Sequence, residues 1–313
     1  MKGIIMFERS NIEFNSDGTM LRGWFYRPKE ASIPYPCIIM AHGFTALKEH
    51  YLDKFAAVFA DNGMCVLVYD NRNFGDSDGE PRLEVNPFDQ VRDYRNAITF
   101  AQSLPGADKD RIGIWGASFS GGHVITVAAR DKRVKCAVSL VPFISGYNKS
   151  IRLNKPDRWS LIREMHNRDR ANRLNGNPPQ TLPVVSLDES ENSVMKLKSA
   201  HTFFTSVEKW PNAVTLRSVE MSGDYEPIAY IKQISPTPLL FIVARSDTIN
   251  TTDIALKAYS KAREPKKLVF IPGDHFSPYV EEFETCSKSA CDWFLEHLQS
   301  NDLALDRKIR SRL

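Results

Sequence analysis

Ser118 stands in the run Gly116-Ala117-Ser118-Phe119-Ser120-Gly121-Gly122, between the apolar stretch RIGIW and the helical pattern HVITVAAR. A serine held on a sharp strand-to-helix turn projects its hydroxyl above the edge of a sheet, and small residues are needed where strand and helix pass closely. The usual signature is G-x-S-x-G. Here Ser120 replaces the second glycine. A glycine-rich turn closing a βα unit reads the same way, so the motif gains meaning only from the residues that could work with it.

A serine hydroxyl is a weak nucleophile until a histidine takes its proton, and a carboxylate must hold that histidine in the correct tautomer. On a sheet of this kind the chain order is Ser, acid, His. The apolar run PLLFIVA is followed by Arg245-Ser246-Asp247, and the run KLVFI by Pro272-Gly273-Asp274-His275-Phe276, which puts Asp247 and His275 at one rim with Ser118. The expected roles are nucleophile for Ser118, general base for His275 and orienting acid for Asp247. Asp274 would have to fold back on its neighbour, and Asp253, beside Thr251 and Thr252, reads as a helix-start carboxylate. Attack on a carbonyl also needs donors for the developing oxyanion. The backbone N–H groups of Phe119, directly after the nucleophile, and of Phe44, in the loop His42-Gly43-Phe44-Thr45, are the expected pair. The remaining histidines read as structural or solvent-facing.

These residues have to be carried by a scaffold. Short β-branched runs (CIIMA from Cys37, CVLVY from Cys65, RIGIW, VKCAVSL from Val134, PLLFIVA and KLVFI) alternate with amphipathic stretches near 53–62, 88–104, 121–130, 253–262 and 280–298. That rhythm predicts βαβ units and a doubly wound, mostly parallel α/β sheet. Ahead of it, IEF and LRGWFYR predict an antiparallel hairpin joined by Asn15-Ser16-Asp17-Gly18. The rhythm breaks over 142–235, so the expected organisation is a core from 1–141 and 236–300, interrupted by a cap or lid at 142–235 and followed by a basic tail at 301–313. A separately folded domain is the alternative for the insertion; core strands on both sides favour a cap. Its aromatics include Trp159, Phe203, Phe204, Trp210 and Tyr225. Trp159, Trp210 and Tyr225 are the expected substrate contacts, while ordinary cap packing is the competing role for any one of them.

Composition excludes other classes. The 313 residues carry 41 basic and 38 acidic side chains, a formal charge of +3 that gives no reason to expect a nucleic acid or an anionic membrane as partner. Five cysteines without C-x-x-C spacing read as buried thiols of a reducing, cytoplasmic setting. No apolar run approaches the length of a membrane helix. Neither a phosphate-binding glycine loop nor a zinc-like ligand pair is present in the sequence, so neither cofactor nor metal is expected. The expected partner is a small-molecule acyl substrate, and homo-oligomer formation stays open.

The segments His42-Gly43-Phe44, 70–82 (DNRNFGDSDGEPR), Ser235-Pro236-Thr237-Pro238, Gly273-Asp274-His275-Phe276 and, within the insertion, 212–218 (NAVTLRS) resemble the α/β-hydrolases grouped with fungal polyketide transferases and their bacterial relatives. The likeness spans nearly the whole chain. It implies the α/β-hydrolase fold, with a sheet of about eight strands, and a triad at Ser118, Asp247 and His275. It also makes a serine at position 120 ordinary. Asn73 departs from an arginine–glycine pair common in that loop, which reads as structural, with Asp70 and Arg72 tying it to its neighbours. The resemblance covers esterase-like, thioesterase-like and acyl-transfer activities, including natural-product roles. Three functions follow: ester or thioester hydrolysis through an acyl-enzyme, transfer of a polyketide-type acyl group to an alcohol or amine, and a catalytically silent binding protein that keeps the fold.

Overall fold

The computed structural model describes residues 7–29 and 34–298, and the basic tail expected at 301–313 lies outside them. Strands β1 (Phe7–Ser16) and β2 (Thr19–Pro28) form the hairpin. Its turn is shorter than expected. Only Asp17 and Gly18 lie between the strands, both with positive φ (52° and 88°), while Asn15 and Ser16 belong to β1. Left-handed geometry at both central residues matches the twist of the paired strands, and the Asn15 side chain accepts the Gly18 N–H at 2.9 Å.

The alternating region then runs β3 (Tyr35–Ala41), α1 (Leu52–Asp61), β4 (Cys65–Tyr69), α2 (Pro87–Ala101), β5 (Ala107–Ala117), α3 (Phe119–Arg130) and β6 (Val134–Leu140). The insertion follows as α4 (Gly146–Leu153), α5 (Trp159–Leu174), β7 (Thr181–Leu182), α6 (Lys198–Phe204), β8 (Val214–Thr215) and α7 (Leu216–Gly223). It is mainly helical, with β7 and β8 forming a short antiparallel ribbon. The chain returns through β9 (Leu239–Ala244), α8 (Thr252–Lys261), β10 (Lys266–Ile271) and α9 (Phe283–Leu298).

Eight strands make one sheet in the order β1-β2-β4-β3-β5-β6-β9-β10. β2 pairs antiparallel with β1 and β4, and every other pairing is parallel. Helices cover both faces. Phe55 and Phe59 of α1 and Phe294 of α9 pack with Trp115 on one; Tyr94 and Ile98 of α2, Val124 of α3 and Ala255 of α8 lie on the other. A strand buried on both sides has no polar face, which is why β3, β4 and β9 read as unbroken apolar runs. All five cysteines are buried, and none is in a disulfide. Among the described residues no helix is long and apolar enough to cross a membrane.

Candidate active site

β5 ends at Ala117 and α3 begins at Phe119, leaving Ser118 alone on the corner at φ 56°, ψ −119°. A non-glycine residue at positive φ costs free energy and persists only where the surroundings over-determine it. They do so here. The Ser118 N–H donates to Leu140 O at the end of β6 (2.8 Å), and its carbonyl accepts from Phe143 N (2.8 Å) and Gly122 N (3.3 Å). Close packing continues into the helix, where an added Cβ on Gly121 would come within 3.0 Å of Pro142 Cα and one on Gly122 within 2.7 Å of Phe143 O.

The turns after β9 and β10 bring Asp247 and His275 to this corner. Asp247 Oδ2 lies 2.7 Å from His275 Nδ1, and His275 Nε2 lies 2.9 Å from Ser118 Oγ. The other carboxylate oxygen, Oδ1, accepts the N–H groups of Ile249 (2.9 Å) and Asn250 (2.8 Å). An ionised carboxylate can only accept, so Nδ1 carries the imidazole proton and Nε2 is left to accept from the serine hydroxyl. Asp247 and His275 are both buried, whereas Ser118 is partly exposed. Asp274 plays no part in this chain. It caps its own turn by accepting the N–H groups of Phe276 and Ser277.

The loop after β3 touches Ser118 directly: a methyl group on Gly43 would lie 3.1 Å from Ser118 Cβ. His42 sets the plane of the next peptide, its Nδ1 lying 2.9 Å from Gly43 O while Nε2 accepts the Asn71 N–H at 2.9 Å. In a trans peptide the Phe44 N–H points opposite to the Gly43 carbonyl, so holding that oxygen also aims this donor. Phe119 N is in the first turn of α3, where amides have no partner inside the helix. The two phenyl rings meet edge to face, with centroids 5.6 Å apart. Burial holds the His42 imidazole below its ordinary pKa, against the nearby Asp70 carboxylate, so it is neutral at pH 7.

Beneath this loop Lys48 Nζ contacts Asp70 Oδ2 (2.6 Å), Asp76 Oδ2 (2.5 Å) and Glu49 Oε1 (3.1 Å). Burial works against the Lys48 ammonium, yet Asp70 and the other carboxylates outweigh it and hold its pKa above the ordinary value. Arg72 binds Asp93 of α2 through Nε (2.6 Å) and Nη2 (2.5 Å). Both residues of the 70–82 segment thus have partners outside it.

The expected substrate contacts are dispersed. Trp210 is buried, stacks on Phe204 and donates its indole N–H to Thr45 O at 2.8 Å. Tyr225 packs on Phe119 and Phe143, with its hydroxyl near Thr126 Oγ1 (2.9 Å) and His123 Nδ1 (3.1 Å). Trp159 is partly exposed at the start of α5. A small cleft beside Asn250 is bounded instead by residues such as Phe143, Lys149, Ile249 and Asn250. Sequence reasoning missed two of these. Asn250 donates its amide to Val141 O (2.9 Å) and reaches Ser118 Oγ at 3.4 Å. Lys149 Nζ lies 3.4 Å from Asn250 Oδ1. Only the position of Asn250 three residues after the acid gave any signal.

A mostly parallel eight-stranded sheet with a serine on its elbow, and a histidine and an acid on two later strand ends, is the arrangement of an α/β-hydrolase. Residues 17–277 match the model of the X-Pro dipeptidyl-peptidase (S15) family, and the chain belongs to that family. It is similar to a thiohydrolase of Eupenicillium brefeldianum, 31% identical over 279 residues that cover 85% of this chain and 86% of the relative. Similarity to the polyketide transferase grgF of a Penicillium species is 30% over 296 residues, covering 93% and 97%. The crystal structure of the α/β-hydrolase GrgF from Penicillium superposes with a TM-score of 0.81 at 30% identity, covering 93% of this chain and 99% of that one. The resemblance read from the motifs holds, and the protein is an α/β-hydrolase enzyme of the hydrolase and acyltransferase type.

Proposed function

We propose that the enzyme cleaves an ester or thioester through an acyl-enzyme on Ser118. The observation that carries this reading is the unbroken hydrogen-bond chain from Asp247 through His275 to Ser118. His275 Nε2 takes the hydroxyl proton as Oγ attacks the carbonyl, and Asp247 stabilises the imidazolium that results. The Phe44 and Phe119 N–H groups receive the oxyanion, a contribution worth roughly 10²–10³ in rate for each donor in comparable sites. His275 then protonates the leaving alcohol or thiol, and water activated by the same imidazole releases the acid. A silent binding protein would have no use for this alignment.

The names thiohydrolase and polyketide transferase among its relatives support a thioester acyl donor and keep acyl transfer as the second reading. The segment 142–235 supports a cap role: Phe203 packs on Phe276, next to His275, at 4.9 Å, and Trp210 holds the loop that carries Phe44. An acceptor alcohol or amine sheltered by that cap would replace water in the second step. A fluorophosphonate probe tests the shared first step. It labels Ser118 in the folded enzyme and fails to label Ser118→Ala; an unlabelled, folded wild-type protein overturns the mechanism. Product analysis with and without a candidate acceptor then separates hydrolysis from transfer.

A further inference from the structure

Lys149 reaches toward Ser118 through Asn250 and, among the described residues, makes no ion pair. It belongs to α4, the first helix of the insertion, and its Nζ sits 3.4 Å from Asn250 Oδ1 and 5.3 Å from the centroid of the Phe143 ring. Among the described residues no carboxylate lies within ion-pair distance of it. Arg152, one turn further on, is already held by Asp253 through both terminal guanidinium nitrogens. Asp247 is engaged with His275 and two backbone N–H groups. Desolvation brings the Lys149 pKa down to about 8, against the pull of Asp247.

Lys149 is only partly buried, so water solvates part of its ammonium, and in a mainly apolar cleft without a counter-charge it still gains most when an acceptor arrives with the ligand. The geometry says where that acceptor would be. Asn250 bridges Lys149 to Ser118 with one carboxamide, through two contacts of 3.4 Å. Nζ is therefore no more than about 9 Å from Oγ, a distance spanned by an acyl chain of about four to six carbons.

We propose that Lys149 determines acyl specificity by binding an oxygen acceptor, a keto or carboxylate oxygen, carried on the acyl chain a few carbons from the carbonyl that Ser118 attacks. The cleft walls of Phe143 and Ile249 take the methylenes between the two points. A plain alkyl acyl group leaves the ammonium unpaired and is the poorer substrate. This assignment rests on Ser118 being the acylated residue.

The test compares the p-nitrophenyl esters of pentanoate, 4-oxopentanoate and adipate (as the half-ester) on wild type, Lys149→Met and Lys149→Arg. Wild type is expected to favour at least one oxygenated ester over pentanoate by about tenfold or more in kcat/KM, as a charge-assisted hydrogen bond allows. In Lys149→Met that ratio falls to near one, and Lys149→Arg retains part of it. Each ratio is taken within a single preparation, so partial misfolding of a variant cancels. Which ester is favoured identifies the acceptor as keto or carboxylate. An unchanged ratio in Lys149→Met, or no preference in wild type, overturns the proposal while fluorophosphonate labelling of Ser118 still stands. Loss of wild-type labelling removes the acyl-enzyme itself.

Discussion

Gly116 and Ser120 face each other across the elbow so closely that a methyl group on Gly116 would sit 2.4 Å from the Ser120 carbonyl oxygen and 2.7 Å from its hydroxyl oxygen. The need for glycine in this motif therefore falls at position 116, on the strand, while position 120 tolerates the extra hydroxymethyl group. Gly116→Ala forces backbone against backbone and should lower stability by about 3 kcal/mol. Ser120→Gly only loosens the first turn of α3 and should cost less than about 1 kcal/mol. Urea denaturation of the two variants measures both. Equal losses would sink the explanation.

Asp247→Asn changes one atom and disturbs both sides of the carboxylate. One oxygen accepts two backbone N–H groups and the other faces His275 Nδ1, so whichever way the amide turns, its NH₂ meets donors. The imidazole is driven toward the tautomer that cannot accept from Ser118. We expect kcat to fall by about 10³–10⁴-fold with the fold intact by circular dichroism. A drop smaller than tenfold would show that another group orients His275.

The strands were legible because burial on both faces leaves β3, β4 and β9 nothing but apolar residues to show, and the grouping of Ser118, Asp247 and His275 was legible because chain order places them on strand ends at one rim. The insertion was not, for the same physical reason in reverse. In α5 only Asp169 is buried, so there is no apolar stripe to announce a helix. Trp210 and Tyr225 stood out by residue type, yet their polar atoms bond inside the protein. Asn250 and Lys149 are ordinary residues whose importance lies in what they meet through space, across contacts 132 and 101 positions apart in the chain. The Asp17–Gly18 turn was placed correctly and drawn too long, since alternation alone does not say where pairing stops.

Three buried histidines make the fold sensitive to mild acid. Desolvation is the main cause in each: it takes His50 down to about 4 and His123 to about 3, and it lowers His42. In the unfolded chain each titrates near its ordinary value of about 6.5. Below that pH the unfolded state binds protons that the folded state refuses. The stability these groups provide is thus complete above about pH 6.5 and lost as pH falls, the His50 share of roughly 3 kcal/mol being gone by about pH 4. Denaturant titrations between pH 6.5 and 5, above the range where most carboxylates titrate, should show stability falling with acid. His50→Gln should flatten the slope by about 1.4 kcal/mol per pH unit. A slope unaffected by the substitution would mean that water reaches His50.

Lys48 sits where the loop bearing Phe44 is joined to the 70–82 segment. Its side chain is 2% exposed, and that of its partner Asp70 is fully buried. Asp70 also accepts the N–H groups of Lys48 (2.8 Å) and Asp76 (3.0 Å), so the carboxylate organises both loops while the ammonium balances its charge. Removing one member of a buried pair leaves the other charge uncompensated, whereas removing both does not. Lys48→Met should therefore lose about 3–5 kcal/mol, and the double variant Lys48→Met/Asp70→Asn less than the sum of the two single losses by at least about 1 kcal/mol. The same change should slow acylation, because the loop bearing Phe44 loses its tie to the 70–82 segment, and that slowing should appear in kcat at saturating ester. Thermal or urea unfolding read beside pre-steady-state acylation separates the two effects. Strict additivity in the double variant would show that the charges are compensated by solvent and that the loop is held by His42 and Trp210 without this pair.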